Sequence, residues 1–119
     1  MNAKNAFDVP SELELLEWFG CEPVKDSEFR YQYQISDKSN VTLVFYFDVI
    51  EASIQTVIVV EEAPVTKVFH ESARRLWFQD LGNGRMLRAE CFPGGHRTEL
   101  TIEVEPRIKV EWSTLREAT

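Results

Sequence analysis

The chain has 119 residues, of which 44% are hydrophobic and 28% are charged, and its formal net charge is −7. These values exclude a collagen-like repeat, a coiled coil and a disordered tail, and they favour one soluble globular domain. We predict a single domain over residues 1–119, with about residues 1–10 and 113–119 loosely ordered.

The sequence predicts neither a membrane span nor export. The longest purely apolar run covers residues 43–47, whereas a spanning helix needs about 20 apolar residues. The first residues lack the apolar region of a signal peptide, so we expect a cytoplasmic protein. Its two cysteines, Cys21 and Cys91, do not make a secreted disulfide framework. We expect free thiols, although the sequence leaves a single bridge between them open.

A helix is predicted close to the N-terminus. Ser11 followed by Glu14 is a capping box, and Gly20 can end the helix in the left-handed conformation. The apolar positions between them are Leu13, Leu15, Leu16, Trp18 and Phe19. Two helical turns are not stable alone, so this helix must pack on the rest of the domain.

After the helix, the hydrophobic period changes from 3.6 to 2, which is typical of half-buried strands. Alternating runs predict strands at residues 29–35, 41–49 and 53–60. The second is the more apolar on its outer face, so we expect it near the centre of a sheet. The run at residues 57–60 is apolar throughout. This predicts that both faces of the strand are buried against other parts of the protein.

Residues 65–80 fit two patterns. One is a helix with an apolar stripe, and the other is a pair of strands at 65–70 and 74–79 with a turn at residues 71–72. We favour strands because Asn83-Gly84 is a strong hairpin signal that needs a strand before it and one, at 86–92, after it.

The last apolar alternation spans residues 100–112. It predicts either one long bent strand or two strands meeting at Pro106, which cannot donate to a ladder. The predicted fold is therefore mainly β: a short N-terminal helix followed by six to eight antiparallel strands in meander order, forming a sandwich or a curled half-barrel.

No motif for catalysis, metal binding or cofactor binding is found in the sequence. The possible zinc ligands, Cys21, Cys91, His70 and His96, have no paired spacing. A Cys91–His96 pair is disfavoured because Cys91 shares strand parity with Leu87 and therefore points to the core. We predict no catalytic residue, no metal and no cofactor.

The distribution of charged residues along the chain indicates which classes of macromolecule the protein can bind. An excess of acids argues against a nucleic-acid binder and is consistent with solubility or with a basic protein partner. Residues 74–97 run against this trend, with five arginines and only two acids. These arginines either pair internally with acids, which we favour, or form an outside anion site.

A hairpin with a two-residue Asn83-Gly84 loop pairs Gln79 with Arg88, Trp77 with Glu90, and Arg75 with Phe92. One face is then apolar, and the other mixes arginines with large aromatic side chains, as binding hot spots do. Our candidate partner-binding residues are Arg75, Trp77, Gln79, Arg88 and Phe92. In the alternative, Trp77 is covered by the helix or another sheet, and Arg75 and Arg88 pair with Glu90.

The function predicted from these features is a non-enzymatic protein-binding module that acts through a β-sheet face or edge. In size, acidity and β content the chain is similar in general terms to bacterial accessory proteins, including toxin-neutralising immunity proteins, and an immunity or adaptor role would suit a basic partner. The alternative is a small-molecule binder or enzyme with a pocket in the mouth of the curled sheet. A filled core with an exposed aromatic patch would favour the first, and a deep aromatic pocket with a histidine or acid the second.

Overall fold

The computed structural model describes residues 7–82 and 84–115. In chain order the described elements are α1 (Glu12–Phe19), β1 (Val24–Lys25), β2 (Arg30–Ser36), β3 (Val41–Asp48), β4 (Ser53–Val60), β5 (Ala63–His70), β6 (Ala73–Asp80), β7 (Arg85–Cys91), β8 (Arg97–Glu103) and β9 (Lys109–Leu115), with a short 3₁₀ turn at Pro93–Gly95.

The strands form two antiparallel sheets in meander order. Sheet 1 has the order β1-β2-β3-β4-β5 and sheet 2 the order β6-β7-β8-β9. The prediction of a mainly β fold with an N-terminal helix is confirmed. The strand count is higher than predicted because β1, with two residues, is too short to show alternation.

Helix α1 begins and ends where the sequence predicts. The N–H of Glu14 donates to Ser11 Oγ (3.1 Å), and Glu14 Oε1 accepts from the N–H of Ser11 (3.2 Å). Gly20 has φ 73° and its N–H closes the last turn on Leu16. The Phe19 ring stacks on Tyr33 of β2 with 4.2 Å between centroids, so this packing supplies the stability that two turns lack.

Sheet 1 is built on β3, which pairs with β2 and β4 as expected for a central strand. Its inward residues, Leu43, Phe45 and Phe47, are fully buried. The prediction that both faces of the strand at residues 57–60 are buried is wrong, because these residues of β4 are only half-buried. Val57 lies opposite Val44, and this cross-strand contact shields part of each side chain in place of a covering layer.

Residues 65–80 form strands, which confirms the favoured interpretation. Strand β5 ends at His70 and β6 begins at Ala73, and Ser72 has φ 60° in the turn between them. Because β5 belongs to sheet 1 and β6 to sheet 2, this turn carries the chain from one sheet to the other.

The final alternation is two strands, β8 and β9, and not one bent strand. Pro106 lies in the connection between them. The N–H of Ile108 donates to Asp37 Oδ2 (2.9 Å) in the turn between β2 and β3. The Trp112 indole N–H donates to Thr56 Oγ1 (2.9 Å) on β4, so this part of the chain joins the two sheets.

Parts of both terminal ranges lie within the described residues and make contacts there. Phe7 is buried with its ring 6.1 Å from Phe47, and Asp8 forms a parallel bridge with Arg75. Strand β9 continues to Leu115. Residues 1–6 and 116–119 lie outside the described chain.

Candidate functional site

The β6–β7 hairpin has a different register from the predicted one. Asp80 pairs with Arg85, so four residues, 81–84, connect the strands; Asn83 itself lies outside the described residues. Arg85 Nε lies 3.1 Å from Asp80 Oδ1, and the Leu81 N–H donates to the Gly84 carbonyl (2.7 Å). These two contacts close the longer loop.

The correction moves every cross-strand partner by two residues. Trp77 lies opposite Arg88, Arg75 opposite Glu90, and Gln79 opposite Met86. Since side chains alternate with a period of two, such a shift preserves the faces. The predicted division into an apolar face and an arginine–aromatic face therefore holds.

The inner face of the hairpin belongs to the core. Leu76, Leu87, Ala89 and Cys91 are buried, and Phe78 packs on Trp18. Burial raises the pKa of Cys91 to about 11, so at neutral pH this thiol stays protonated and unreactive. Cys21 and Cys91 are both free.

On the outer face, Trp77 lies between two guanidinium groups. The guanidinium carbon of Arg75 is 4.4 Å from the indole centroid, and that of Arg88 is 5.5 Å away. Both distances suit cation–π attraction. The indole is half-buried, and it lines an open cavity of about 260 Å³ together with residues 8–10 and Glu14 of α1. Trp77 is therefore partly exposed, on the same cavity as the start of α1.

Polar contacts hold Arg88 in this position. Its Nη1 donates to Gln79 Oε1 (3.0 Å), and its Nη2 lies 3.6 Å from Glu99 Oε1 on β8. In the alternative prediction, Arg75 and Arg88 pair with Glu90. Within the described chain, Glu90 instead pairs with Arg97 at 3.7 Å.

The five arginines of residues 74–97 divide into two groups. Arg85, Arg88 and Arg97 pair with acids of the chain, as the favoured interpretation predicts. Arg74 and Arg75 make no ion pair with any described residue. Each lies over an aromatic ring: Arg74 over Phe92 at 5.0 Å and Arg75 over Trp77.

The structure brings together four of the candidate residues, Arg75, Trp77, Gln79 and Arg88, and places Phe92 just beyond the end of β7, under Arg74. Sequence reasoning missed Arg74, because strand alternation assigns it to the opposite face from Arg75. It also missed Glu99, whose role depends on the β7–β8 register. No local sequence signal marks either one.

The alternative function predicts a pocket at the mouth of the curled sheet. Two grooves, of about 640 and 500 Å³, flank Trp18 beside the β8–β9 connection, and both are open to solvent. Acids line both of them, Asp37 and Glu105 in the first and Glu17, Glu103 and Glu105 in the second, but no histidine lines either one. Between the sheets the core is filled, since Tyr33, Phe45 and Phe47 are completely buried. His70 lies against Trp112, and burial lowers its pKa. The geometry is thus a filled core with a half-buried aromatic patch, Trp77 and Phe92, on the outer face of sheet 2.

Two further findings concern the described residues alone. No three or more His, Cys, Asp or Glu side chains among them are grouped so as to hold a metal ion. The helix that the structure describes has eight residues and is too short to cross a membrane.

The fold and this face define a two-sheet, antiparallel β domain with an N-terminal helix. It is similar to a chain of the contact-dependent growth inhibition toxin–immunity protein complex from Klebsiella pneumoniae 342, with a TM-score of 0.84 and 23% sequence identity over 92% of this chain and 97% of that chain. No protein-family model and no curated protein matches the sequence. At this identity the likeness establishes the fold.

Proposed function

We propose that this chain is a non-enzymatic immunity protein, which binds a toxin domain and neutralises it. The observation that carries the proposal is the near full-length likeness to a chain of a toxin–immunity complex. The immunity role is supported by the filled core and by the arginine–tryptophan surface on β6 and β7.

The proposed contact surface is the outer face of the β6–β7 hairpin. Tryptophan and arginine dominate interface hot spots. Here Gln79 and Glu99 hold Arg88 in place, and Arg88 lies over the Trp77 ring. A side chain ordered before binding loses less conformational entropy when the complex forms. We therefore assign Trp77 as the anchor of the interface.

The net charge of −7 supports a partner that is basic overall. Opposite net charges speed the encounter of two proteins and make the association rate sensitive to salt. The cytoplasmic location expected from the sequence stays a prediction.

Capture and protection together test this function. The chain is used to capture proteins from its native host, and each captured protein is expressed with and without this chain. We expect one of them to arrest growth alone, and growth to be restored when this chain is co-expressed. The proposal fails if no captured protein arrests growth, or if co-expression gives no protection.

The surface is tested with a matched pair of aromatic variants. Trp77→Ala is compared with Phe69→Ala, which removes an exposed ring from β5 on the other sheet. We expect Trp77→Ala to weaken toxin binding by about 30-fold or more, as a hot-spot truncation does, and Phe69→Ala to leave it within about threefold. Equal effects would place the interface elsewhere.

A further inference from the structure

A β-bulge places two arginines on the same side of sheet 2. The register between β6 and β7 shifts between Ala73 and Arg75. Ala73 and Leu76 both point into the core, and the two arginines between them are both exposed. A bulge sets two residues opposite one and re-aims a side chain. Without it, Arg74 would point towards the buried side.

The guanidinium groups of Arg74 and Arg75 are not neutralised by any acid among the described residues. Neither guanidinium has an ion-pair partner among the described residues, although the sequence carries 20 acids. Each lies over an aromatic ring, Phe92 or Trp77. Stacking holds the plane of a guanidinium while its N–H donors, which lie around the edge, stay free to bind a carboxylate.

The backbone edge beside these arginines is already occupied. The Asp8 N–H donates to the Arg74 carbonyl (3.0 Å), and the Leu76 N–H donates to the Asp8 carbonyl (2.8 Å). A partner therefore cannot add a strand to this edge by pairing with these groups, and it meets side chains instead.

We propose, on the basis of the proposed function, that Arg74 and Arg75 form a receptor for carboxylates, and that the partner toxin presents an acidic segment to them. Charge complementarity gives the chemistry of the occupant. A protein carboxylate is favoured over a nucleic-acid phosphate because a chain of net charge −7 repels a polyanion. A partner that is basic overall and acidic at this point satisfies both the long-range attraction and the local contact.

Charge reversal against a matched control tests the contact in the complex. Arg75→Glu and Arg74→Glu are compared with Lys67→Glu, an exposed position on β5 whose reversal alters the net charge equally. We expect each arginine variant to weaken binding of the captured toxin by about 30-fold or more, and Lys67→Glu to change it by about threefold or less. Arg75→Lys, which keeps the charge, should retain most of the affinity.

Tighter binding by Arg75→Glu, or equal effects at Arg75 and Lys67, would overturn the proposal. Thermal unfolding of each variant checks that it folds. Should Arg75→Glu not fold, Arg75→Gln replaces it, with an expected loss of about tenfold, and unchanged affinity would count against the proposal.

A second measurement on the isolated protein separates this proposal from the proposed function. NMR signals of the arginine Nε–H groups are followed during titration with succinate, which is a small dicarboxylate, with 1,4-diaminobutane or with inorganic phosphate. We expect succinate to shift the Arg74 and Arg75 signals more than that of Arg85, which is already paired. Equal shifts at all three, or larger shifts with phosphate, would overturn it, even if no toxin is found.

Discussion

Glu90 on β7 and Glu99 on β8 lie directly opposite each other, and Arg97 forms an ion pair with both. Like charges at opposed positions destabilise a sheet, so the arginine turns a repulsive pair into an attractive one. Arg88 adds a second contact to Glu99. The outer face of sheet 2 therefore has a self-neutralised centre beside Arg74 and Arg75, which form no ion pair with a described residue.

Arg97→Met should destabilise the domain by about 1 kcal/mol at low salt, since it leaves two carboxylates opposed, and by less at high salt. Urea unfolding measures the change. Adding Glu90→Gln to Arg97→Met should recover most of the loss, whereas Lys67→Met, which removes an exposed cation from sheet 1, should have little effect. If Glu90→Gln does not restore stability, repulsion between the opposed carboxylates is not the cause of the destabilisation by Arg97→Met.

Two tryptophans of sheet 2 should respond differently to truncation. Trp77→Ala should cost about 1 kcal/mol, since the ring lies on the outer face. Trp112→Ala should cost about 3 kcal/mol, because this ring packs between the sheets and its N–H donates to the buried Thr56. Urea unfolding of both variants gives the comparison, and a larger loss at Trp77 would mean that this residue is part of the core.

Asp37 should contribute to stability at neutral pH and lose that contribution in acid. Chiefly the N–H of Ile108, and also those of Val41 and Ser39, hold its pKa below the ordinary value. The folded state thus binds the proton less tightly than the unfolded state. The contribution is complete above the unfolded pKa, about 4, and declines as the pH falls below it.

Asp37→Asn tests this linkage. The variant should be less stable at neutral pH, and its free energy of unfolding should fall less steeply than that of the wild type between about pH 5 and pH 2. Glu111→Gln, an exposed position on β9, serves as the control. An unchanged acid slope in Asp37→Asn would show that the Ile108 contact does not depend on the charge.

The two thiols should differ in their reaction with a disulfide reagent at about pH 8. Cys21 is half-buried and should react in the folded state, whereas Cys91 is buried with a pKa raised to about 11. The variant Cys21→Ser should therefore stay unreactive until denaturant unfolds it. Rapid reaction in that variant would mean that β7 opens locally.

Local sequence signals predicted the elements well. Ser11, Glu14 and Gly20 fix both ends of α1 because capping depends on neighbouring residues. Alternation located β2, β3 and β4 closely because a period of two reports which face is buried, and the Asn83-Gly84 signal decided that β5 and β6 are strands. The predicted run at residues 100–112 is the least accurate, since β8 begins at Arg97 and β9 ends at Leu115.

Features set by tertiary contacts were not predictable in the same way. Asn83-Gly84 suggested a two-residue loop, whereas pairing of Asp80 with Arg85 sets a longer one. The bulge at Arg74 leaves no mark in the sequence, so the arginine pair could not be predicted. The sequence also does not show which strands belong to which sheet, because the turn at Ser72 resembles an ordinary hairpin turn.

The contacts of Trp18 have a consequence for the order in which the domain assembles during synthesis. Every strand pairs with a neighbour in sequence, so sheet 1 can close once residue 70 has left the ribosome. The indole N–H of Trp18, however, donates to the carbonyl of Arg85 (3.0 Å), 67 residues further along the chain. The helix can pack on β2 early, but the face that carries Trp18 stays exposed to solvent until the second sheet has been synthesised and has folded.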